Sequence, residues 1–136
     1  FMEAKHELMQ AAAPLEALIK ADFSLCFSYA LLSQPDAFET FFDMSLNNPY
    51  PFTLTGFTGQ MAALNAADTR DWLADIHTPC LVVSGDEDII LLPRCSAAIA
   101  NGIAGAKSFC FKSCGHLPHI EYPDQFVTLV NDFIQQ

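Results

Sequence analysis

Residues 80–88 have the sequence CLVVSGDED, in which a continuous apolar run ends in a short polar turn. An apolar run without alternation is typical of a strand that is buried on both faces of a parallel sheet. A second apolar stretch lies at 108–112, and Pro93 and Gly105 mark the start and end of a helix between the two. The order strand, helix, strand predicts two parallel strands joined by a right-handed crossover.

Helical periodicity follows each predicted strand. Pro123, with Asp124 beside it, opens a last helix after the second strand. Apolar residues at i, i+3 and i+4 spacing identify the side of each helix that should pack inward. The predicted inward faces are Cys95, Ala98, Ile99 and Ile103 on the first of these helices and Phe126, Leu129, Val130 and Phe133 on the last.

The first 66 residues contain helix-forming sequence and no strand pattern. A helix is predicted over residues 3–13, and Asp22 is predicted to cap an apolar helix over residues 23–32. We therefore divide the chain into an all-helical segment, residues 1–66, and an α/β segment, residues 67–136. The predicted inner faces of the helical segment are Leu8, Met9 and Ala12; Phe38, Phe41, Phe42 and Ser45; and Leu54, Phe57, Met61 and Leu64.

The composition is apolar and acidic. Hydrophobic residues make up 51% of the 136 residues, charged residues make up 16%, and the mean hydropathy is +0.24, which argues against disorder. No apolar run reaches the roughly 18 residues that a membrane helix needs. The net charge is −10 and there is no basic stripe, so a nucleic-acid partner is disfavoured. We expect a small-molecule substrate rather than a nucleic acid or a membrane as the partner.

Five cysteines lie at irregular spacing, and no export signal accompanies them. An odd count without a regular framework favours reduced thiols over disulfides. The expected location is therefore cytoplasmic.

Polar side chains follow both predicted strands. Asp86, Glu87 and Asp88 come after the first strand, and His116 comes after the second. Parallel strands lie ~4.8 Å apart, and their carboxyl ends present loops at the same edge of the sheet. A carboxylate there would fix the tautomer of the imidazole and stabilise its protonated form. On the residues alone, any of the three carboxylates could be the partner of His116.

Residues 76–88 together with 114–123 resemble the closing third of α/β-hydrolases. In that family an apolar strand ends in G-x-x-D, and a later G-H pair precedes a glutamate and the proline that opens the last helix. The resemblance implies that Asp88 is the acid and His116 the base of a hydrolytic triad. It also implies that the helical segment is part of the cap, or lid. We interpret the glutamate, Glu121, as structural, either capping or pairing near the last helix or supporting the His116 loop.

The nucleophile of that family lies in a G-x-S-x-G turn, and no serine of this sequence has that pattern. The resemblance therefore implies a C-terminal fragment of an α/β-hydrolase fold that needs a missing N-terminal part of the same fold and is inactive alone. The implied reaction is hydrolysis of an ester or related bond in a small apolar substrate, without a cofactor. Two strands leave open edges, which also predicts a homodimer or another strand-edge association.

Two alternatives from other classes stay open. Cys110, Cys114, His116 and His119 form C-x3-C-x-H-x2-H, a set of four potential ligands for a small zinc-binding module. A non-catalytic interaction fragment would instead dock its apolar sheet edge onto another protein. The interaction fragment predicts loss of the acid and the base, and both residues are present.

Overall fold

The computed structural model describes residues 2–136. Contacts within the chain divide it into two compact units, one formed by residues up to Ser24 with Gln34–Asp68, the other by Leu25–Ser33 with Thr69–Gln136. No helix in the described part of the chain is long and apolar enough to cross a membrane. The elements are α1 Met2–Gln10, α2 Leu15–Cys26, α3 Tyr29–Leu32, α4 Ala37–Leu46, α5 Leu54–Ala66, a 3-10 helix Arg70–Asp75, β1 Leu81–Gly85, α6 Pro93–Gly102, β2 Lys107–Phe111, α7 Pro118–Glu121 and α8 Pro123–Ile134.

The division into units differs from the sequence-based boundary in two places, since residues 67–68 belong to the first unit and residues 25–33 to the second. Residues 25–33 lie inside the range assigned to the helical segment, yet they pack within the second unit. The remaining residues up to 68 form the first unit. The polypeptide therefore enters the second unit twice.

The first unit is helical and has an aromatic core. Phe23 contacts the rings of Phe38 and Phe41, with centroid separations of 5.4 and 5.6 Å, and Phe57 is fully buried. The predicted inner face of α4 is confirmed, because all four of its members are half-buried and, apart from Ala37, the other residues of the helix are exposed. On α1, in contrast, the buried residue is Lys5, and Leu8 is exposed.

The prediction that Asp22 caps a helix is wrong. Asp22 lies inside α2, which continues to Cys26 because the apolar positions Ile19 and Phe23 keep the same helical face. Its carboxylate instead pairs with Lys5, with 2.6 Å between Lys5 Nζ and Asp22 Oδ2. The helix break comes later, at Ser28, whose side chain accepts a hydrogen bond from Leu31 N and caps α3.

The second unit contains the predicted strand, helix, strand order, and this part of the prediction is confirmed. Strands β1 and β2 pair in parallel, in a register that sets Leu81 opposite Lys107 and Gly85 opposite Phe111. Helix α6 packs on both strands and on the 3-10 helix. The predicted face of α8 is half-buried, as expected for a helix that covers one side of a sheet.

On α5 of the first unit, Phe57 and Met61 are buried as predicted, but Leu54 and Leu64 are exposed. Two burial predictions for the second unit are also wrong. Leu81–Ser84 are half-buried rather than buried on both faces, because β1 has β2 as its only neighbouring strand among residues 2–136. On α6, Cys95, Ala98 and Ile99 are exposed, and the one predicted position that is buried, Ile103, lies immediately after the end of the helix. Close packing of α6 on the 3-10 helix instead occurs at Gly102, where an added Cβ would lie 2.7 Å from Leu73 Cδ1. Periodicity of apolar residues cannot detect such a contact.

Gly85, at the end of β1, gives the first testable prediction. A Cβ there would lie 2.2 Å from the carbonyl oxygens of Cys114 and Gly115, so Gly85→Ala must move backbone and should destabilise the fold by about 3 kcal/mol. Gly59 is the matched control. It is an exposed residue inside α5 with nothing within 4 Å of its Cβ position, so Gly59→Ala should stabilise by about 0.5–1 kcal/mol. Urea unfolding measures both changes, and equal effects would contradict the packing argument.

Candidate active site

Backbone hydrogen bonds join the loops that follow β1 and β2. The register places Gly85 opposite Phe111, so both loops leave the same edge of the sheet. Asp86 N then donates to Phe111 O at 3.0 Å, and Glu87 N donates to Cys114 O at 2.9 Å. The two loops are therefore fixed to each other before any side chain contributes.

The structure brings His116 and Asp88 into contact. His116 Nδ1 lies 2.9 Å from Asp88 Oδ2, and the side chain of Asp88 is 6% exposed, compared with 28% for His116. The other carboxylate oxygen, Oδ1, accepts from the backbone N–H groups of Ile90 and Leu91, both at 2.9 Å. An ionised carboxylate only accepts hydrogen bonds, so Nδ1 must be the donor. In the neutral ring this leaves Nε2 with the lone pair that a general base uses.

The two competing carboxylates are engaged elsewhere. Asp86 accepts from Cys114 N at 3.4 Å and lies 3.4 Å from the ammonium of Lys112. Glu87 accepts from the backbone N–H of Tyr29 at 2.9 Å. The geometry therefore selects Asp88 as the partner of His116, although a catalytic role for this pair stays a prediction.

A short segment from the helical half of the sequence, Cys26–Tyr29, holds the His116 loop; we call it the clamp segment. His116 N donates to the carbonyl of Cys26 at 2.7 Å. Gly115 runs so close to this segment that a Cβ would lie 2.5 Å from the same carbonyl oxygen. Any larger residue at 115 would therefore push the backbone of His116 away from the clamp segment.

Glu121 joins the clamp segment to the His116 loop. Its Oε1 accepts from Gly115 N at 2.7 Å and from Ser28 N at 3.2 Å, and Ser28 Oγ donates to Oε2. Ser28 is 1% exposed, and its hydroxyl also caps α3, so that this one side chain both donates and accepts. The sequence interpretation of Glu121 included support of this loop, but Ser28 was missed. A polar residue inside the apolar stretch 23–32 was the available signal.

Comparison with curated proteins finds relatives over part of the chain. It is 32% identical over 73 residues, 54% of its length, to a proline iminopeptidase of Lactobacillus helveticus. It is 38% identical over 80 residues, 58% of its length, to a pimeloyl-(acyl-carrier protein) methyl ester esterase of Yersinia enterocolitica. These stretches make up 24% and 31% of the two relatives, so the chain spans about a quarter to a third of their length. No protein-family profile matches the chain.

Solved structures match almost the whole chain. The enol-lactonase from Burkholderia xenovorans LB400 superposes with a TM-score of 0.79 at 25% identity, covering 98% of this chain and 49% of that one. MGS-M2, an α/β-hydrolase enzyme from a Medee basin deep-sea metagenome library, gives a TM-score of 0.80 at 22% identity, covering 99% and 50%. The chain is therefore similar to α/β-hydrolases in sequence and has the fold of part of those enzymes. The α/β-hydrolase fold class inferred from residues 76–88 and 114–123 is thereby confirmed.

The structure does not bring the four candidate zinc ligands together. Cys110 is exposed on β2, Cys114 is fully buried, and His116 is bonded to Asp88. His119 is exposed and lies against the ring of Phe126, with 5.9 Å between the ring centroids. Across residues 2–136, no group of three or more His, Cys, Asp and Glu side chains could hold a metal ion. The spacing of the four residues was suggestive, but the strand and its exit loop direct them apart.

All five cysteines are thiols, and their environments predict different reactivity. Burial, followed by the nearby Glu121 carboxylate, raises the pKa of Cys114 to about 12. The thiolate is the reactive form, so Cys114 should stay unmodified by iodoacetamide at pH 8 in the native protein. The exposed Cys95 and Cys110 should react, as peptide mass spectrometry will show. Modification of Cys114 at the rate of Cys95 would contradict the described burial.

The Ser28–Glu121 contact predicts energetic coupling. Ser28→Ala removes one donor to Glu121, and Glu121→Ala removes the acceptor for both Ser28 and Gly115. The effects of two substitutions on the free energy of unfolding are not additive when the residues share a hydrogen-bond network. A double-mutant cycle should therefore give a coupling energy of about 1–3 kcal/mol. Urea unfolding of the two single variants and the double variant measures it. Additive effects would show that the two side chains act separately.

Proposed function

We propose that this chain supplies the base and the orienting acid of a serine-type α/β-hydrolase that cleaves an ester or related bond in a small apolar substrate. The supporting observation is the bond between His116 Nδ1 and Asp88 Oδ2, with Asp88 Oδ1 held by two backbone N–H groups. Two fixed donors on one oxygen leave the other oriented toward the imidazole. The names of the relatives and neighbours, an esterase, a peptidase and a lactonase, all denote hydrolases.

The proposed chemistry assigns one step to each ring nitrogen. His116 Nε2 takes the proton of the nucleophile's hydroxyl as the oxygen forms its bond to the substrate carbonyl carbon. The imidazolium so formed keeps its Nδ1–H bond to Asp88, which stabilises the positive charge. Nε2 then gives its proton to the leaving group as that bond breaks. In the second half-reaction, Nε2 takes a proton from water in the same way and returns it to the nucleophile's oxygen.

The nucleophile comes from outside these 136 residues in this proposal. No serine of the sequence lies in G-x-S-x-G, and the proposal assigns both that turn and the oxyanion hole to an N-terminal part of the same fold. The open edges of the two-stranded sheet are where further strands of that part would pair. The 136 residues alone should therefore not turn over substrate.

The experiment compares two histidines of the same loop region. The protein is expressed together with its upstream coding sequence and assayed on p-nitrophenyl butyrate. His116→Ala should lower kcat/KM on the order of 10⁴-fold or more, because the proton acceptor is lost. His119→Ala, which removes an exposed ring in edge-to-face contact with Phe126, should stay within about tenfold of the unchanged protein.

Two further carboxylate variants test the assignment of the acid. Asp88→Asn should lower kcat by roughly 10⁴-fold, because an amide can hold the imidazole in the wrong tautomer. Asp86→Asn, the neighbouring control, should have a much smaller effect because Asp86 contacts Cys114 N and Lys112 instead. Equal losses for the two asparagine variants would refute the role given to Asp88.

A further inference from the structure

The first unit contains a pocket of about 470 Å³ between α1, α2, α4 and the loop that follows α4. Its walls are apolar for the most part and include Met9, Leu18, Phe41 and Phe52. None of its lining residues belongs to the second unit, so it shares no residue with the Asp88–His116 site. Its volume lies within the ~300–1,000 Å³ that small-molecule sites in proteins occupy.

A partly buried ion pair forms the polar end of this pocket. Lys5 Nζ lies 2.6 Å from Asp22 Oδ2, and the side chain of Lys5 is 9% exposed. The same ammonium lies 4.9 Å from the centre of the Phe52 ring and 5.4 Å from that of Phe57. Lysine is rarely buried to this extent. The pair carries one charge of each sign, so this end of the pocket has no net charge.

The hydrogen-bonding capacity of this pair is incompletely used. Asp22 Oδ1 is buried and has no hydrogen-bond partner among residues 2–136. Native proteins pair nearly all such atoms. Asp22 is a lining residue of the pocket, so its unpaired oxygen marks a position beside the pocket where a donor is needed. An ammonium has three N–H donors, so Lys5 can also donate to a second acceptor beside Asp22.

We propose that this pocket binds a neutral amphiphile with a hydroxyl or primary-amide head and an apolar body. The head would donate to Asp22 Oδ1 and accept from Lys5 Nζ, and the body would lie against Met9, Leu18 and Phe41. A cationic head would be repelled by the Lys5 ammonium, and an anionic head would be repelled by the Asp22 carboxylate. The site therefore selects a head that both donates and accepts without charge.

The test uses the full chain and four probes of one chain length: 1-heptanol, heptanamide, heptanoate and heptylammonium. Titration is followed by the methyl resonances of the methionines. Met9 lines the pocket and should shift, whereas Met44, which is exposed and does not line it, should not. Heptanol and heptanamide should bind about tenfold more tightly than either ion. No shift at Met9, or equal affinity for all four probes, would overturn the proposal.

Charge-removing variants examine the head group separately from the apolar walls. Lys5→Met leaves the Asp22 carboxylate alone, so heptylammonium should become the preferred probe. Asp22→Asn leaves the Lys5 ammonium alone, so heptanoate should become preferred. Lys20→Met is the control, because Lys20 is an exposed lysine that pairs with Glu16 outside the pocket, and it should keep the preference for neutral heads. Thermal unfolding establishes that each variant is folded, and an unchanged preference in either folded pocket variant would refute the role of the ion pair.

Discussion

The Glu121 carboxylate holds the candidate active site in place. It lies partly out of water, and backbone and hydroxyl donors from Gly115 and Ser28 replace the hydration that it loses. Gly115 immediately precedes His116, so this carboxylate fixes the backbone from which the imidazole projects. The bond between His116 N and the Cys26 carbonyl then completes the attachment. The short distance from His116 to Asp88 depends on these contacts as much as on the strands.

Strand pairing determines which loops are neighbours, and hydrogen bonds within the loops determine which side chains meet. The parallel register brings Gly85 opposite Phe111 and so sets which loops become neighbours. It does not decide which of three consecutive carboxylates meets the histidine. That choice is made by the turn, in which Asp88 receives the N–H groups of Ile90 and Leu91. The carboxylate is thus oriented by the turn itself, independently of its contact with the imidazole.

Features encoded by neighbouring residues could be predicted from the sequence, and those that depend on distant partners could not. The strand order and the polar turns of Asp88 and His116 follow from local apolar runs and their exits. The burial of Lys5 could not be predicted, because its partner Asp22 lies on another helix and a capping role for Asp22 was equally compatible with the sequence. Ser28 was missed for the same reason, since its partner Glu121 is 93 residues away.

The clamp segment has a consequence for the order in which the chain folds. Strands β1 and β2 and helix α6 are close in sequence, and contacts of this kind form early because the connecting loop is short. The bonds from Cys26–Tyr29 to the His116 loop must first bring together residues separated by most of the polypeptide. We therefore expect the imidazole to reach its final place in a late step of folding. A nascent or partly unfolded chain would contain an ordered sheet before it contains an ordered site.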